Sequence, residues 1–182
     1  MGRIVLIVGG CRSGKSAYAQ QVAESLPPRR LYVATSPVTD EEMARRIETH
    51  QQARNGRGWE TVEEQVDVAG VLCCSRLHNV LLVDCVTLWV NNLMDAARRQ
   101  SRTLGEEEIA DQCRELIEAA RSCRGTVLVV SNEVGMGIVP DNPAARQYRD
   151  LVGRANQSLA AQADTVTLVS CGIPWHLKEV WR

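Results

Sequence analysis

The segment that most limits the possible folds of this chain is a glycine-rich loop near its start. Residues 9–16 match the pattern G-x-x-x-x-G-K-[ST] at every fixed position. The apolar run at 4–8 before the loop predicts a buried strand, and residues 17–23 after it predict a helix. A strand, a glycine-rich loop and a helix in this order aim backbone N–H groups at a polyphosphate. The sequence therefore predicts that the chain binds a nucleoside triphosphate.

Each residue of this phosphate loop is a predicted nucleotide contact. The loop consists of Gly9, Gly10, Cys11, Arg12, Ser13, Gly14, Lys15 and Ser16. We expect the Lys15 ammonium to reach the β- and γ-phosphates and the Ser16 hydroxyl to hold Mg²⁺. The alternative is a chance glycine turn before a helix, and the match in the right strand–helix context argues against it.

The remainder of the chain alternates apolar, β-rich runs with helical patterns. The runs lie at 4–8, 31–34, 80–83, 126–130 and 165–169. They are almost continuously apolar, which is typical of parallel strands covered by helices on both faces. We therefore predict a single α/β P-loop domain over residues 1–182, with a mostly parallel sheet flanked by helices.

Capping signals and apolar stripes predict three further helices. Thr39 and Glu42 form a T-x-x-E capping box, and the helix they open runs to about residue 54. A second helix is predicted over 106–123, and a third over 143–163 with Pro143 at its first position. The polar, basic stretch 95–105 predicts a loop or a frayed helix end, and 174–182 a final strand.

Composition narrows the classes of partner. The chain has 21 Lys and Arg against 22 Asp and Glu, a net charge of −1, so no basic excess favours nucleic acid. It has no apolar run of about eighteen residues, so we expect no membrane span. The 7 cysteines show no C-x-x-C spacing, which predicts neither a zinc site nor a disulfide framework and fits a cytoplasmic protein.

Polar residues at the ends of two predicted strands are candidate ligand contacts. Asp84 follows the buried run 80–83, where a parallel sheet presents its ligands and a carboxylate can serve Mg²⁺. The alternative for Asp84 is an ordinary turn or cap. Thr35 and Ser36 end the second strand at the same edge, and their hydroxyls either bind nucleotide or only make the turn before Pro37.

His50 shares one face of the predicted second helix with Met43 and Ile47. The residues alone leave two interpretations open: a structural histidine on an apolar stripe, or a neutral imidazole that attacks phosphorus. The arginines closest in sequence are Arg45, Arg46, Arg54 and Arg57. Their guanidinium groups would neutralise developing phosphate charge.

The segment 131–140, S-N-E-V-G-M-G-I-V-P, follows the fourth strand and combines a polar triplet with two glycines. It predicts a loop that closes on a ligand, in which Glu133 orients a hydroxyl or a metal-bound water, or else an ordinary loop. Arg146, Arg149 and Arg154 on the next helix form either a phosphate-facing set or a solvated face.

Together these motifs resemble the bifunctional adenosylcobinamide kinase/adenosylcobinamide-phosphate guanylyltransferase family of cobalamin biosynthesis. The resemblance covers nearly the whole chain and is most specific in the segment 131–140. Its other parts are the phosphate loop, Y-V-A-T-S at 32–36, D-E-E-M at 40–43 with Arg46, Ile47 and His50, the residues Trp59, Thr61 and Glu63, D-C-V-T at 84–87, N-N-L at 91–93, the residues Arg146, Arg149, Asp150, Gly153, Arg154, Asn156 and Gln157, and G-I-P at 172–174.

The resemblance implies two reactions. The first transfers a phosphoryl group from ATP or GTP to the aminopropanol hydroxyl of adenosylcobinamide. The second transfers GMP from GTP to the resulting phosphate with release of pyrophosphate, through a phosphoramidate on the residue that matches His50. The resemblance also implies a RecA-like fold and a homotrimer.

The family's nucleotide contacts match a defined set of positions in this chain. Besides the phosphate loop, they are Ala34, Thr35, Ser36, Gln51, Gln52, Ala53, Arg54, Glu63 and Asp84. An unrelated small-molecule kinase that uses only the phosphate loop is the alternative enzyme. A RecA-like motor or a nucleotide-gated regulatory module is an alternative of another class, and the charge of −1 argues against a nucleic-acid motor.

Overall fold

The computed structural model describes residues 1–37, 54 and 56–179. The strands in this part of the chain are β1 (Arg3–Gly9), β2 (Arg30–Ala34), β3 (Trp59–Glu63), β4 (Val80–Asp84), β5 (Thr126–Asn132), β6 (Thr165–Ser170) and β7 (Ile173–Glu179). They form one sheet of 7 strands in the order β3-β2-β4-β5-β1-β6-β7. The pairings from β3 to β6 are parallel, and only β7 runs antiparallel to its neighbour β6. The predicted α/β class with a mostly parallel sheet is confirmed.

The described helices connect these strands. They are α1 (Lys15–Ser25), α2 (Val68–Cys74), α3 (Val86–Arg99), α4 (Glu106–Ser122) and α5 (Pro143–Gln162). Asn142 caps α5, because its side-chain oxygen accepts hydrogen bonds from the backbone N–H groups of Ala144 and Ala145. At the start of α4 the Glu108 carboxylate accepts from the Gly105 N–H. No described helix has the length and apolar character needed to cross a bilayer.

The predicted elements agree with the structure where the sequence signal is strong. The five apolar runs are strands, the helices predicted at 106–123 and 143–163 are present, and the final strand covers 173–179. The stretch 95–105 is a loop only from 100 onward, because α3 continues to Arg99. The sequence analysis missed β3, α2 and most of α3. The helix predicted from Thr39 lies outside the described residues, except for Arg54, which is helical.

Successive residues of the central strands contact opposite faces of the sheet. Ile4 and Leu6 are buried against helices α2 to α5, whereas Val5 and Ile7 are buried with α1 on the other face. Because both faces are covered, both sets of alternate positions are mostly apolar. This burial explains why the strands read as continuous apolar runs.

The side chain of Arg30 fixes the far end of α1, the helix that begins at the phosphate loop. Its guanidinium donates to the carbonyl oxygens of Ala23 at 3.0 Å, Glu24 at 3.0 Å and Leu26 at 2.7 Å. A further N–H donates to the Arg57 carbonyl at 3.0 Å. The last carbonyls of a helix lack intrahelical partners and carry partial negative charge, so a guanidinium stabilises them. Arg30 thereby holds α1 against the sheet.

We expect Arg30→Lys to lower the free energy of unfolding by about 1–3 kcal/mol, because an ammonium cannot reproduce this fan of hydrogen bonds. Urea denaturation measures the change. Arg114→Lys is the matched control, since Arg114 makes an exposed ion pair with Asp111, and its effect should stay within about 0.5 kcal/mol. Equal free energies of unfolding for Arg30→Lys and Arg114→Lys would contradict the capping role of Arg30.

Candidate functional site

The phosphate loop leads directly from β1 into α1. Gly14 precedes the first helical residue, Lys15, and has a φ of +93°, a conformation that favours glycine. The Lys15 ammonium donates to the Gly10 carbonyl at 3.2 Å, and the Ser13 N–H donates to the same oxygen at 3.2 Å. The structure therefore places the loop at the N-terminus of α1, the arrangement suited to an anion.

Close packing leaves no room for side chains at the start of this loop. A Cβ atom on Gly9 would lie 2.4 Å from the Val169 carbonyl oxygen and 2.5 Å from Ser13 Oγ. The Gly172 N–H, in the turn between β6 and β7, donates to the Ser13 carbonyl at 2.8 Å. The loop is thus braced by the neighbouring strand and by the turn that follows it. Cys11 and Arg12, between these anchors, are exposed.

Three of the predicted nucleotide contacts occupy one rung of the sheet. Ala34 at the end of β2 pairs with Glu63 of β3 on one side and with Asp84 of β4 on the other. Neighbouring strands lie about 4.8 Å apart, so these residues are adjacent at the carboxyl edge. Gly9 ends β1 at the same edge and pairs with Asn132. The structure brings this set together, and its nucleotide-binding role stays a prediction.

Tyr32 holds the Asp84 carboxylate. The Tyr32 hydroxyl donates to Asp84 Oδ2 at 3.1 Å, and the Tyr32 ring packs edge-to-face on Trp59 with centroids 6.3 Å apart. Burial, with a further contribution from the Asp84 carboxylate, raises the pKa of Tyr32 well above its usual value. The phenol therefore stays protonated near neutral pH and remains a hydrogen-bond donor to Asp84.

Arg54 is the one described member of the predicted set 51–54. Its guanidinium carbon lies 3.6 Å from the centroid of the Tyr32 ring, a cation–π contact, and the residue is only 4% exposed. Arg54 thus lies against the ring that holds Asp84. The predicted residues His50, Gln51, Gln52 and Ala53 lie outside the described residues.

The hydroxyl of Thr35 is committed to the backbone of Cys85. Thr35 Oγ1 donates to the Cys85 carbonyl at 2.8 Å and accepts from the Cys85 N–H at 2.8 Å, and Thr35 is fully buried. The peptide between Asp84 and Cys85 is cis. These bonds favour the turn interpretation for the Thr35 hydroxyl. Ser36 is half-buried, and its hydroxyl donates to the Pro37 carbonyl at 3.3 Å.

A network of polar side chains supports this edge from behind. Asn132 Nδ2 donates to Thr87 Oγ1 at 2.6 Å, and Asn92 Nδ2 donates to the Thr35 carbonyl at 2.8 Å. The Cys85 thiol lies 2.9 Å from Thr87 Oγ1. Burial raises the pKa of the Cys85 thiol. The sequence analysis gave Tyr32, Thr87 and Asn92 no individual role. Thr87 and Asn92 had a signal, since both interrupt the apolar stripe of α3.

The loop after β5 is attached to the phosphate loop at its start. The Glu133 N–H donates to the Gly9 carbonyl at 3.1 Å, and the Glu133 carboxylate accepts from the Gly135 N–H at 2.7 Å. At the other end, the Arg146 guanidinium donates to the carbonyls of Pro140 at 2.9 Å and Asp141 at 2.7 Å. Arg146 therefore supports the loop.

A depression of about 390 Å³ lies between this loop and the phosphate loop. It is lined by Gly10, Cys11, Arg12, Ser13, Glu133, Met136, Leu168, Val169, Ser170 and Cys171. Asp84 and Tyr32 are not among these lining residues. The depression thus lies on the β6 side of the phosphate loop, whereas Asp84 lies on the other side, at the end of β4 and beyond β5.

The residues at this edge fit Mg²⁺ held together with phosphates. Within residues 1–37, 54 and 56–179, no group of 3 or more His, Cys, Asp or Glu side chains could hold a metal by itself. Mg²⁺ commonly keeps several waters and uses one or two protein oxygens plus substrate phosphates. The Ser16 hydroxyl, in the first turn of α1, and the Asp84 carboxylate are oxygen donors of this kind.

We expect Thr35→Val to lower the free energy of unfolding by about 1–3 kcal/mol, because the Cys85 N–H loses its acceptor and the Cys85 carbonyl keeps only the Trp89 N–H. Thr35→Ser keeps the hydroxyl and should recover most of the loss. Chemical denaturation measures the free energy of unfolding of each variant. The slope of that free energy against denaturant concentration should be the same in both. A valine variant as stable as the unmodified protein would contradict the role assigned to this hydroxyl.

Comparison with known proteins identifies the family. Residues 5–177 match the family model described as cobinamide kinase / cobinamide phosphate guanyltransferase. The bifunctional adenosylcobalamin biosynthesis protein CobU of Salmonella typhimurium is 39% identical over 182 residues, 96% of this chain and 99% of the relative. The Escherichia coli CobU is 40% identical over 183 residues, with 96% and 99% covered, and the Pseudomonas aeruginosa CobP is 38% identical over 174 residues, with 95% and 96% covered. The resemblance inferred from the sequence is confirmed, and the chain belongs to the cobinamide kinase / cobinamide phosphate guanyltransferase family.

Proposed function

We propose that this protein phosphorylates adenosylcobinamide with ATP or GTP and then transfers GMP from GTP to adenosylcobinamide phosphate, giving adenosylcobinamide-GDP and pyrophosphate. The observation that carries the proposal is the phosphate loop at the start of α1, with Asp84 at the same edge of the sheet, in a chain that matches the family model over residues 5–177. The phosphate loop supports binding of a triphosphate, and the family description supports cobinamide as the acceptor.

In the kinase step, the acceptor hydroxyl oxygen bonds to the γ-phosphorus, the bond to the β–γ bridging oxygen breaks and a nucleoside diphosphate leaves. The hydroxyl proton is released. Lys15 and the N–H groups at the start of α1 stabilise the negative charge of the transferred group and of the leaving diphosphate. When bound, Mg²⁺ would supply further charge neutralisation, and Ser16 and Asp84 are the residues that would hold it.

In the guanylyl step, an imidazole nitrogen of His50 bonds to the α-phosphorus of GTP as the bond to the β-phosphate breaks and pyrophosphate leaves. An oxygen of the cobinamide phosphate then displaces the imidazole. Arg54 supports this assignment, because it lies against Tyr32 beside Asp84 and follows His50 by four residues.

The exposed face of β7 supports self-association as a homotrimer. Ile173, Trp175 and Leu177 alternate along this strand and are 68%, 67% and 52% exposed. Apolar side chains grouped on a sheet surface mark protein interfaces.

The 7 cysteines are free thiols, which fits a reducing, cytoplasmic location.

His50→Ala should abolish protein labelling by α-³²P-GTP, because no other group is proposed to carry GMP, and should leave part of the kinase activity. The label on the unmodified protein should be acid-labile and alkali-stable. His78→Ala is the control, because His78 bonds to Ser75 and Glu60, away from the phosphate loop. Retained labelling in His50→Ala would refute the covalent carrier.

Lys15→Ala should depress both reactions by about a hundredfold or more, because it removes the charge that holds the triphosphate.

Asp84→Asn should raise the Mg²⁺ concentration for half-maximal kinase activity by about tenfold or more, because an amide is a weaker metal ligand. Tyr32→Phe should raise it by a smaller factor, since it removes the hydrogen bond that orients the carboxylate. Mn²⁺ titration followed by electron paramagnetic resonance in the presence of a non-hydrolysable GTP analogue gives the affinities without turnover. Asp95→Asn, in an exposed pair with Arg98, is the control. An unchanged Mn²⁺ affinity in Asp84→Asn would assign Asp84 to another role.

A further inference from the structure

The loop after β5 exposes three apolar side chains, and one of them, Met136, lines the depression beside the phosphate loop. Met136 is 82% exposed, Ile138 is 96% exposed and Val139 is 59% exposed. Exposed apolar side chains that are scattered singly are ordinary, but several on one short loop next to a depression indicate a binding surface. We call the group formed by Met136, Ile138 and Val139 the apolar loop surface.

The apolar loop surface belongs to a loop with anchored ends. The first residue of this loop is Glu133. The Glu133 N–H donates to the Gly9 carbonyl, and the Glu133 carboxylate accepts from the Gly135 N–H. Arg146 holds the carbonyls of Pro140 and Asp141 at the other end. Between these anchors the apolar side chains point away from any core, because they are more than half exposed. The loop therefore presents them to a ligand at little further cost in backbone ordering.

The position of the depression assigns it to the acceptor. An acceptor oxygen must approach the phosphorus of a nucleotide to within about 3–3.5 Å, so the acceptor has to lie beside the phosphate loop. On the β4 side of the sheet, beyond β5, lie Asp84, which is predicted to contact nucleotide and metal, and Arg54, which is predicted to contact nucleotide. Towards β6 the phosphate loop is flanked by the depression of about 390 Å³, whose lining includes that loop and Met136.

We propose that the apolar loop surface binds the macrocycle of the corrinoid acceptor, while the depression admits its aminopropanol arm to the phosphate loop. This inference rests on the proposed function. A corrin ring carries methyl groups and methylene chains around its rim, and these are the partners that Met, Ile and Val side chains contact. A second copy of the chain is the other occupant to consider. The surface proposed above for contact between subunits is the exposed apolar face of β7, and none of its residues belongs to this loop.

Two single substitutions test the proposal: Ile138→Asp and Met136→Asp. Both side chains are largely exposed, so neither variant should unfold the protein. Leu77→Asp is the matched control, because Leu77 is 75% exposed and lies between α2 and the start of β4, at the opposite edge of the sheet. Equilibrium dialysis followed by visible absorbance measures cobinamide binding directly, and titration with a fluorescent GTP analogue measures nucleotide binding.

We expect the two loop variants to weaken cobinamide binding by about tenfold or more, since each places a charge against an apolar ring. Their KM for cobinamide in the kinase assay should rise by a similar factor, with the GTP affinity and the molecular mass by light scattering unchanged. Leu77→Asp should leave all these quantities unchanged.

Cobinamide binding within twofold of the unmodified protein in both loop variants would overturn the inference, and so would a fall in molecular mass, which would assign the loop to a subunit interface. Failure of the proposed function gives a different result. In that case the unmodified protein itself neither binds nor phosphorylates cobinamide.

Discussion

The whole site depends on one constraint, which is that the six strands β1 to β6 all run parallel to one another. Parallel strands place their carboxyl ends at one edge of the sheet, so residues distant in sequence meet there. Gly9, Asp84 and Asn132 end three different strands and lie at this shared edge. Burial of both faces fixes the register, because a one-residue slip would exchange the side chains packed on α1 with those packed on the other helices. Site geometry is therefore a consequence of core packing.

The phosphate loop gains its rigidity from contacts on several sides. Gly9 has no space for a Cβ atom beside the Val169 carbonyl, and the Gly172 N–H holds the Ser13 carbonyl. At the far end of α1, Arg30 bonds the last carbonyls of the helix. A preorganised loop does not have to be ordered when the anion binds, so more of the interaction energy remains for binding and catalysis.

The sequence predicted those parts of the fold and site that local patterns determine. Strands buried on both faces read as apolar runs, and the phosphate loop requires glycine and lysine at fixed spacing. It did not reveal β3, because this edge strand is largely exposed and reads W-E-T-V-E, nor α2, which has only 7 residues. The bond from Tyr32 to Asp84 joins neighbouring strands, and side-chain contacts between strands depend on register and rotamer. The role of the Thr35 hydroxyl was ambiguous for the same reason.

The two proposed transfers make different geometric demands on one triphosphate. Each displacement at phosphorus needs the attacking and leaving atoms roughly in line. A hydroxyl that attacks the γ-phosphorus stands opposite the leaving diphosphate, whereas an attack on the α-phosphorus must come from the side opposite the leaving pyrophosphate. One docked acceptor cannot satisfy both directions without moving. A histidine carrier removes the conflict, because it attacks the α-phosphorus from its own side and presents the guanylyl group after pyrophosphate has left. The buried Arg54, stacked on the ring that holds Asp84, provides positive charge at the edge where this exchange would take place.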